Sequence, residues 1–243
     1  MCLIIARQRD AEPIPAEYIA RAIDRNPDGF GVAGKSDKGK MYLNKDVEMA
    51  DCERLIRLYE DQNFEFIAHF RLATHGRNDE INTHPFRMSG VNFLAHNGIL
   101  DVPILDKAKS DTWHFVSNII RDNVAMKADN LIRYLDKRKP LLNNSKFAFL
   151  GESLPLTVYN EHLGFSENGC WYSNYSSVSV ESLSAYRYWN TLYEFTGEET
   201  LSDLMRMRES ELSELCGAFP DEIARIIKDE YFDLLEQGVA EKW

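Results

Sequence analysis

The chain has 243 residues, 44% hydrophobic and 28% charged, a composition ordinary for a globular protein that excludes a largely disordered chain. Its formal net charge of −11 disfavours general nucleic-acid binding, because an acidic surface repels phosphate groups. No stretch approaches the roughly 20 apolar residues of a membrane-spanning helix, so no membrane partner is predicted.

Hydrophobic periodicity predicts a mixed α and β domain. The predicted strands cover 2–6, 30–33, 40–43, 64–73, 91–95, 147–151, 156–160 and 170–173, and the predicted helices cover 16–25, 51–62 and 111–123. The segment 74–89 is polar and predicts a long loop, and 175–184 is a serine-rich loop. The predicted domains are 1–197 and a helical extension, 198–243, that packs on the first; a partner-binding surface is the alternative for these helices.

The cysteines indicate a cytoplasmic protein. They are far apart in the sequence and form no CxxC pair: Cys2, Cys52, Cys170 and Cys216. This spacing predicts neither a zinc ribbon nor a redox motif, and four cysteines in a chain this long do not make a disulfide scaffold. A reducing, cytoplasmic location is therefore expected.

Cys2 is the first candidate for chemistry. A methionine before a small residue is usually removed, and Cys2 would then carry a free α-amine. The reference pKa of such an amine is about 7.7–8.0 and that of a thiol about 8.5, so the amine can accept the thiol proton. One residue would supply both nucleophile and base. Taken alone, a cysteine that starts an apolar strand is more commonly a core residue.

Two later segments carry polar groups suited to a substrate. Residues 64–73 alternate as a strand, with Ile67, His69 and Arg71 on the less apolar face. The arginine fork matches a carboxylate, with a surface ion pair as the alternative. Asn97-Gly98 is a favoured tight-turn pair that can present an amide and an N–H in one direction, as an oxyanion hole requires; an ordinary hairpin turn is the alternative.

Together, the motifs resemble those of class II glutamine amidotransferases, which are N-terminal-nucleophile (Ntn) hydrolases, and in particular the short, stand-alone members. The resembling segments occur in the family's order: Met1-Cys2, 26–31 (NPDGFG), 69–76 (HFRLATHG), 82–86 (NTHPF), 96–98 (HNG) and 110–112 (SDT), with a weaker match at 171–174 (WYSN). The implied fold is α+β, a four-layer αββα sandwich of two antiparallel sheets, with extra C-terminal helices.

The resemblance also implies catalytic and substrate-binding roles. Cys2 would attack the side-chain amide of glutamine, with its own α-amine as the base. Asn97 and Gly98 would form the oxyanion hole. Arg71 would hold the α-carboxylate of glutamine, and Asp111 its α-ammonium. The products would be glutamate and ammonia.

Six further residues match the walls of the family's site. The implied pocket lining is Thr74, His75 and Gly76, and the implied loop near the nucleophile is Gly29, Phe30 and Gly31.

The partner and the exact substrate stay open at this point. No second catalytic domain is recognisable, so a separate ammonia-accepting enzyme is the expected partner, and no cofactor is implied. A γ-glutamyl amide hydrolase acting on a larger conjugate is one alternative, and a non-catalytic binding protein that keeps the fold is another. Four histidines, His69, His75, His84 and His96, invite a metal site, but no HExxH or similar spacing is present and none is predicted.

Overall fold

The computed structural model describes residues 2–45, 48–73, 76–121, 127–174 and 177. They lie in one compact unit, Met1–Ser177. Most of the predicted serine-rich loop, the predicted boundary near residue 197 and the predicted C-terminal helices lie outside the described residues and stay predictions.

The unit is built from short strands and helices. Its strands are β1 (Leu3–Arg7), β2 (Phe30–Lys35), β3 (Met41–Lys45), β4 (Glu65–Phe70), β5 (Phe86–Arg87), β6 (Asn92–Asn97), β7 (Lys146–Gly151), β8 (Thr157–Tyr159), β9 (Phe165–Glu167) and β10 (Cys170–Tyr172). Its α-helices are α1 (Ala16–Arg25), α2 (Cys52–Asp61), α3 (Asp111–Phe115), α4 (Ala128–Asp136) and α5 (Lys139–Leu142). The helix α3 continues as a π-helical turn over Val116–Ile120.

The strands form two antiparallel sheets. The first has the order β3-β2-β4-β1-β10-β9 and the second β5-β6-β7-β8. Strand β1 is central, with Ile5 opposite Ala68 of β4 on one side and Tyr172 of β10 on the other. A central strand is covered on both faces, which explains why β1 begins with a continuous apolar run.

The two sheets face each other across an apolar core. That core contains Ile4, Ala6, Ala33, Ile67, Phe93, Ala95, Ala148, Leu150 and Trp171. The outer face of the second sheet packs on α3, α4 and α5 through residues such as Phe115, Leu131 and Leu142. On the outer face of the first sheet, Tyr18 of α1 contacts Tyr172, and Tyr59 of α2 contacts Phe66. The predicted four-layer αββα sandwich of the α+β class is therefore confirmed.

The predicted strand 64–73 ends earlier than expected, at Phe70. Its less apolar face is interior to the sandwich, because Ile67 lies in the core between the sheets and His69 is fully buried. The Arg71 N–H still donates to the Gly29 carbonyl at 2.8 Å, in the register of β2 and β4, but the Ala73 N–H donates to a side chain, Asp28 Oδ2, at 2.8 Å. The regular backbone pairing thus ends just after the residue that was expected to bind substrate.

The second sheet differs from the expectation at Asn97-Gly98. Strand β6 extends through Asn97, which pairs with Lys146 of β7. The next segment leads to α3 and not to a paired strand, so the ordinary hairpin turn that was the alternative is wrong. The helices α4 and α5 and the strands β5 and β9 were not predicted, and β5 lies inside the segment 74–89 that was expected to be a loop.

Candidate active site

The side chain of Cys2 lies at the start of the central strand and contacts the end of β4. Its Sγ accepts a hydrogen bond from the Leu72 N–H at 3.3 Å and donates to the Leu72 carbonyl at 3.4 Å. Burial raises the pKa of the Cys2 thiol, while the Leu72 N–H and the charge of Arg71 act in the opposite direction. The sulfur is therefore protonated at rest and needs a base before it can attack.

Arg71 is buried, at 3% exposure, and is not the surface residue of an exposed ion pair. Its Nη1 donates to Asn78 Oδ1 at 2.8 Å and its Nη2 to the Arg77 carbonyl at 3.0 Å. Burial lowers the pKa of the guanidinium, with the thiolate form of Cys2 and the carboxylates of Asp28 and Asp79 acting in the opposite direction, and an arginine stays charged at neutral pH in any case. The contacts orient a cation next to the thiol.

Asn97 and Gly98 form a corner at the end of β6. The Asn97 side chain is 2% exposed, and its Nδ2 donates to Ser173 Oγ at 2.8 Å. Gly98 has a φ of +146°, and a Cβ on it would lie 2.5 Å from Ser145 Oγ. Glycine is required here both by the backbone conformation and by the close approach of Ser145.

Asp111 is the first residue of α3, and Ser110 caps that helix by accepting from the Trp113 N–H at 3.1 Å. The Asp111 carboxylate accepts from the Leu100 N–H at 2.8 Å and from the Thr112 N–H at 2.6 Å. The Thr112 hydroxyl donates to Asp111 Oδ1 at 3.2 Å and lies 2.7 Å from His96 Nδ1. Because that hydroxyl donates to Asp111, it accepts from His96, which places the proton of the neutral imidazole on Nδ1.

These elements meet around one small cavity of about 40 Å³. It is lined by Cys2, Arg71, Leu72, Asn82, His84, His96, Gly98, Ser110, Asp111 and Thr112. A cavity of this size holds only a few water molecules, so a glutamine side chain needs a wider opening than this conformation provides. Cys2, Arg71, Gly98 and Asp111, four residues predicted from separate motifs, share this cavity.

The other predicted site residues lie in different positions. Asn97 is adjacent to the lining residue Gly98 but does not itself line the cavity. Gly76 has a φ of +76°, and a Cβ there would lie 2.9 Å from the Ser110 N. Thr74 and His75 lie outside the described residues.

The predicted nucleophile loop is only partly a loop. Phe30 and Gly31 belong to strand β2, and Gly29 precedes it. A Cβ on Gly29 would lie 3.1 Å from Thr83 Oγ1, and a Cβ on Gly31 would lie 2.1 Å from the His84 carbonyl oxygen. The two glycines therefore allow close approach of the Thr83 side chain and of the His84 backbone.

Three buried histidines lie next to the cavity. The ring centroids of His69 and His84 are 4.1 Å apart, and those of His84 and His96 are 6.4 Å apart. Burial lowers the pKa of His69 to about 3, that of His96 to about 4, and that of His84 well below its ordinary value. The three imidazoles are therefore neutral at pH 7.

Sequence reasoning missed several residues that organise the site. Asn82 Oδ1 accepts from the Ser110 N–H at 2.7 Å, and Asn82 Nδ2 donates to the Ala108 carbonyl at 2.9 Å, so this side chain joins two loops. Asn174 Nδ2 donates to the Cys2 carbonyl at 2.7 Å. Asn82 and Asn174 both lie in segments that resemble the family, which was the available signal, but the resemblance alone gave them no role.

In the described ranges, no group of three or more His, Cys, Asp or Glu side chains is arranged to hold a metal ion. Cys2, Cys52 and Cys170 are free cysteines.

None of the helices in the described part of the chain has the length and apolar character needed to cross a lipid bilayer.

The chain is similar to several known proteins. Residues 18–119 match the family described as glutamine amidotransferases class-II. The chain is 36% identical over 107 residues to glutamine–fructose-6-phosphate aminotransferase (isomerizing) of Vibrio parahaemolyticus, which covers 42% of this chain and 17% of that protein. For the protein of the same name from Escherichia coli K12, the identity is 30% over 132 residues, covering 51% of this chain and 21% of that protein.

A solved structure, glutamine phosphoribosylpyrophosphate amidotransferase from B. subtilis, is also similar, with a TM-score of 0.47 and 15% identity. The similarity covers 73% of this chain and 42% of that one.

The family match and the relatives support the class that the motifs indicated: residues 18–119 of this chain match the class II glutamine amidotransferases. It spans about a fifth of the length of the curated relatives that it matches, between 17% and 21%.

Proposed function

We propose that the protein releases ammonia from glutamine by nucleophilic catalysis at Cys2. The observation that carries this proposal is that Cys2, Arg71, Gly98 and Asp111 line one cavity. A thiol, a cation, a backbone N–H and a carboxylate are the groups that hydrolysis of a zwitterionic amide requires.

The reaction begins when Met1 has been removed and Cys2 bears a free α-amine. The amine accepts the thiol proton, and Sγ attacks the carboxamide carbon of glutamine. This base is needed because burial raises the pKa of the thiol. The tetrahedral intermediate then collapses, the α-ammonium returns its proton to the leaving nitrogen, and ammonia departs. Water hydrolyses the resulting glutamyl thioester, which gives glutamate and restores the thiol.

The oxyanion of that intermediate is stabilised by the Asn97 side-chain amide and the Gly98 N–H. A primary amide nitrogen carries two N–H bonds, and only one is used by Ser173. In this proposal the second N–H meets the developing charge when the cavity widens for substrate, because Asn97 does not line the cavity in this conformation. Loss of one oxyanion donor lowers kcat by about 10²- to 10³-fold in well-studied hydrolases, so this pair is a major contributor to the rate.

The substrate head group is held by opposite charges. The Arg71 guanidinium binds the α-carboxylate of glutamine, and the Asp111 carboxylate binds the α-ammonium. Both side chains are already oriented by the protein, Arg71 by Asn78 and Asp111 by the N–H groups of Leu100 and Thr112. Side chains held in place before binding lose little conformational entropy on binding.

The ammonia is passed to a separate acceptor enzyme in this proposal. The relatives named above are aminotransferases for fructose 6-phosphate by their names, but this chain matches only about a fifth of their length. Their acceptor is therefore not assigned to this chain. The cavity of about 40 Å³ must widen for glutamine itself, so its volume does not distinguish glutamine from a larger γ-glutamyl conjugate.

The test uses the purified full-length protein, intact mass spectrometry and a glutamine-mimicking electrophile. Loss of Met1, one adduct on Cys2 and ammonia release from glutamine are the expected results. Cys2→Ala should abolish both the adduct and the ammonia release.

Cys52→Ala is the matched control, because Cys52 is buried in α2 and its pKa is raised to about 12 by burial. This variant should form the adduct with the electrophile and release ammonia from glutamine as the wild type does. A wild-type level of adduct or of ammonia in Cys2→Ala would refute the proposed function.

A further inference from the structure

The hydroxyl of Ser173 joins the nucleophile strand to the oxyanion corner. Ser173 follows β10 directly and has no solvent exposure. Its Oγ accepts from the Ile4 N–H at 2.8 Å and from Asn97 Nδ2 at 2.8 Å. Ile4 is two residues after Cys2, whereas Asn97 ends β6 in the opposite sheet. One oxygen atom therefore bridges the two sheets at the site.

This bridge replaces a regular strand contact. The β1–β10 register places Ile5 opposite Tyr172, so Ile4 lies opposite Ser173. In an antiparallel pair of this kind, two residues normally exchange both backbone hydrogen bonds. Here the Ser173 N–H donates to the Ile4 carbonyl at 3.0 Å, but the Ile4 N–H is bonded by the Ser173 side chain. The ladder thus ends with a hydroxyl in the position of a carbonyl.

The consequence for Asn97 is a fixed amide orientation. A serine oxygen has two acceptor positions, and Ile4 and Asn97 occupy both. In this arrangement the Asn97 amide presents its nitrogen, and not its carbonyl oxygen, to the Ser173 hydroxyl and so toward the nucleophile strand. An oxyanion donor must present nitrogen, because an amide oxygen there would repel the developing charge.

We propose that Ser173 is a positioning residue for the amide-hydrolysis reaction, holding the Asn97 amide with its nitrogen toward the Cys2 strand. This inference depends on the proposed function. Ser173 does not contact the substrate in this proposal. Its neighbour Asn174 adds a second link to the same strand, because it donates to the Cys2 carbonyl at 2.7 Å.

The test is a double-mutant cycle on glutaminase kinetics with Ser173→Ala, Asn97→Ala and the double variant. Ser173→Ala should lower kcat by about 10- to 100-fold, less than the loss of the donor itself, and change KM by less than about threefold. In the Asn97→Ala background, Ser173→Ala should lower kcat by no more than about threefold, because the amide that it positions is already gone.

Two further variants separate positioning from stability. Ser173→Ala also leaves the buried Ile4 N–H without its acceptor, so Ser173→Cys, which keeps the shape and offers only a weak acceptor, repeats the cycle with less risk to folding. Ser36→Ala is the matched control: its buried Oγ accepts from the Lys40 N–H at 3.1 Å, outside the site, and kcat should not change.

Different results would contradict the proposed function and the role of Ser173. A wild-type protein that releases no ammonia and forms no Cys2 adduct contradicts the proposed function. An active wild type in which replacement of Ser173 leaves kcat unchanged, or lowers it equally with and without Asn97, contradicts the role of Ser173 alone.

Discussion

At the scale of single residues, the site consists of charged groups whose positions are set by backbone contacts. The Arg71 guanidinium bonds the Arg77 carbonyl and Asn78, and the Asp111 carboxylate bonds two N–H groups. Such contacts leave the charge intact and remove rotational freedom. Both side chains can then be tested by substitutions that keep their size.

Arg71→Lys should raise KM for glutamine by about 10- to 100-fold with a smaller effect on kcat, since lysine keeps the charge but loses the planar fork. Steady-state ammonia release measures both constants. Arg9→Lys is the control, because Arg9 bonds the Ser36 carbonyl at 3.0 Å, away from the cavity, and should leave KM unchanged. An unchanged KM in Arg71→Lys would contradict carboxylate binding by Arg71.

Asp111→Asn should weaken glutamine binding by about 10-fold or more, because the charge that pairs with the α-ammonium is lost. An analogue of glutamine without the α-amine provides the decisive comparison. KM for this analogue should be the same in Asp111→Asn and in the wild type. If Asp111→Asn weakened the binding of glutamine and of the analogue equally, Asp111 would support the loop and would not recognise the ammonium.

At the scale of elements, the end of β6 is the most constrained part of the site. Gly98 combines a positive φ with close contact to Ser145, whose Cα would lie 2.8 Å from a Cβ at position 98. Ser145 precedes β7, the strand paired with β6, so the contact cannot be relieved by a side-chain rotation.

Gly98→Ala should therefore destabilise the protein by at least about 2 kcal/mol, or roughly 4–8 °C in Tm for a chain of this size. We also expect kcat to fall by about 10-fold or more, since the corner that carries the oxyanion donors must move. Thermal unfolding and ammonia release give the two values.

Gly39→Ala separates backbone strain from steric contact. Gly39 also has a positive φ, +78°, but nothing lies within 4 Å of a Cβ there. The Gly39→Ala substitution should lower the free energy of unfolding by only about 1–2 kcal/mol and leave kcat unchanged. A Gly98→Ala protein no less stable than Gly39→Ala would disprove the importance of the Ser145 contact.

At the scale of the whole molecule, the sandwich encloses uncharged histidines beside fixed charges. Neither ring nitrogen of His84 has a hydrogen-bond partner among the described residues, and for His69 the His96 backbone is the neighbouring polar group that favours protonation. The charged groups that act on the three imidazoles are Lys45, Arg71, Asp111 and Lys146, of which only Asp111 favours protonation. Protonation therefore places a positive charge in the interior against mostly positive neighbours.

This arrangement predicts acid sensitivity. The pKa of His69 is about 3 in the folded protein and about 6.5 when unfolded, so the unfolded chain binds more protons between these values. The free energy of unfolding is then highest above about pH 6.5 and decreases as pH falls toward 4. Denaturant unfolding at a series of pH values measures the decrease.

His69→Phe should make the free energy of unfolding less dependent on pH between 7 and 5, because the ring is kept and the titration is lost. The exposed His162 provides the control variant His162→Phe, which should keep the wild-type dependence. If the free energy of unfolding of His69→Phe depends on pH as strongly as that of the wild type, burial of this imidazole is not the cause of the acid sensitivity.

The local features of the fold could be predicted from the sequence. The bounds of α1 agree with the prediction, since its apolar residues recur at helical spacing and Tyr18, Ile19 and Ala22 are buried. The helix α4 was missed, because Lys127 provides no side-chain cap to mark its start. The strand β9 has only three residues, which is too short for an alternating pattern to be recognised.

The site could be predicted where each motif carries its own chemistry. Cys2, Arg71 and Gly98 were identified from the chemistry of their own segments and Asp111 through the family resemblance, and all four line the cavity. Ser173 and the interior position of His69 could not be identified in this way. A serine after a strand and a histidine within one have no distinctive pattern until another sheet faces them.

The sequence by itself determined the order of the motifs, most of the short elements and the chemical groups that a glutamine amidotransferase domain requires. Tertiary structure alone decided that β1 lies between β4 and β10. This order brings Ser173 against Ile4, which is 169 positions earlier, and Asn174 against Cys2, which is 172 positions earlier. The physical reason is that periodicity reports which face of an element is buried but not which distant strand covers it. Strand order depends on the burial of both sheets together, and the site forms where their ends meet.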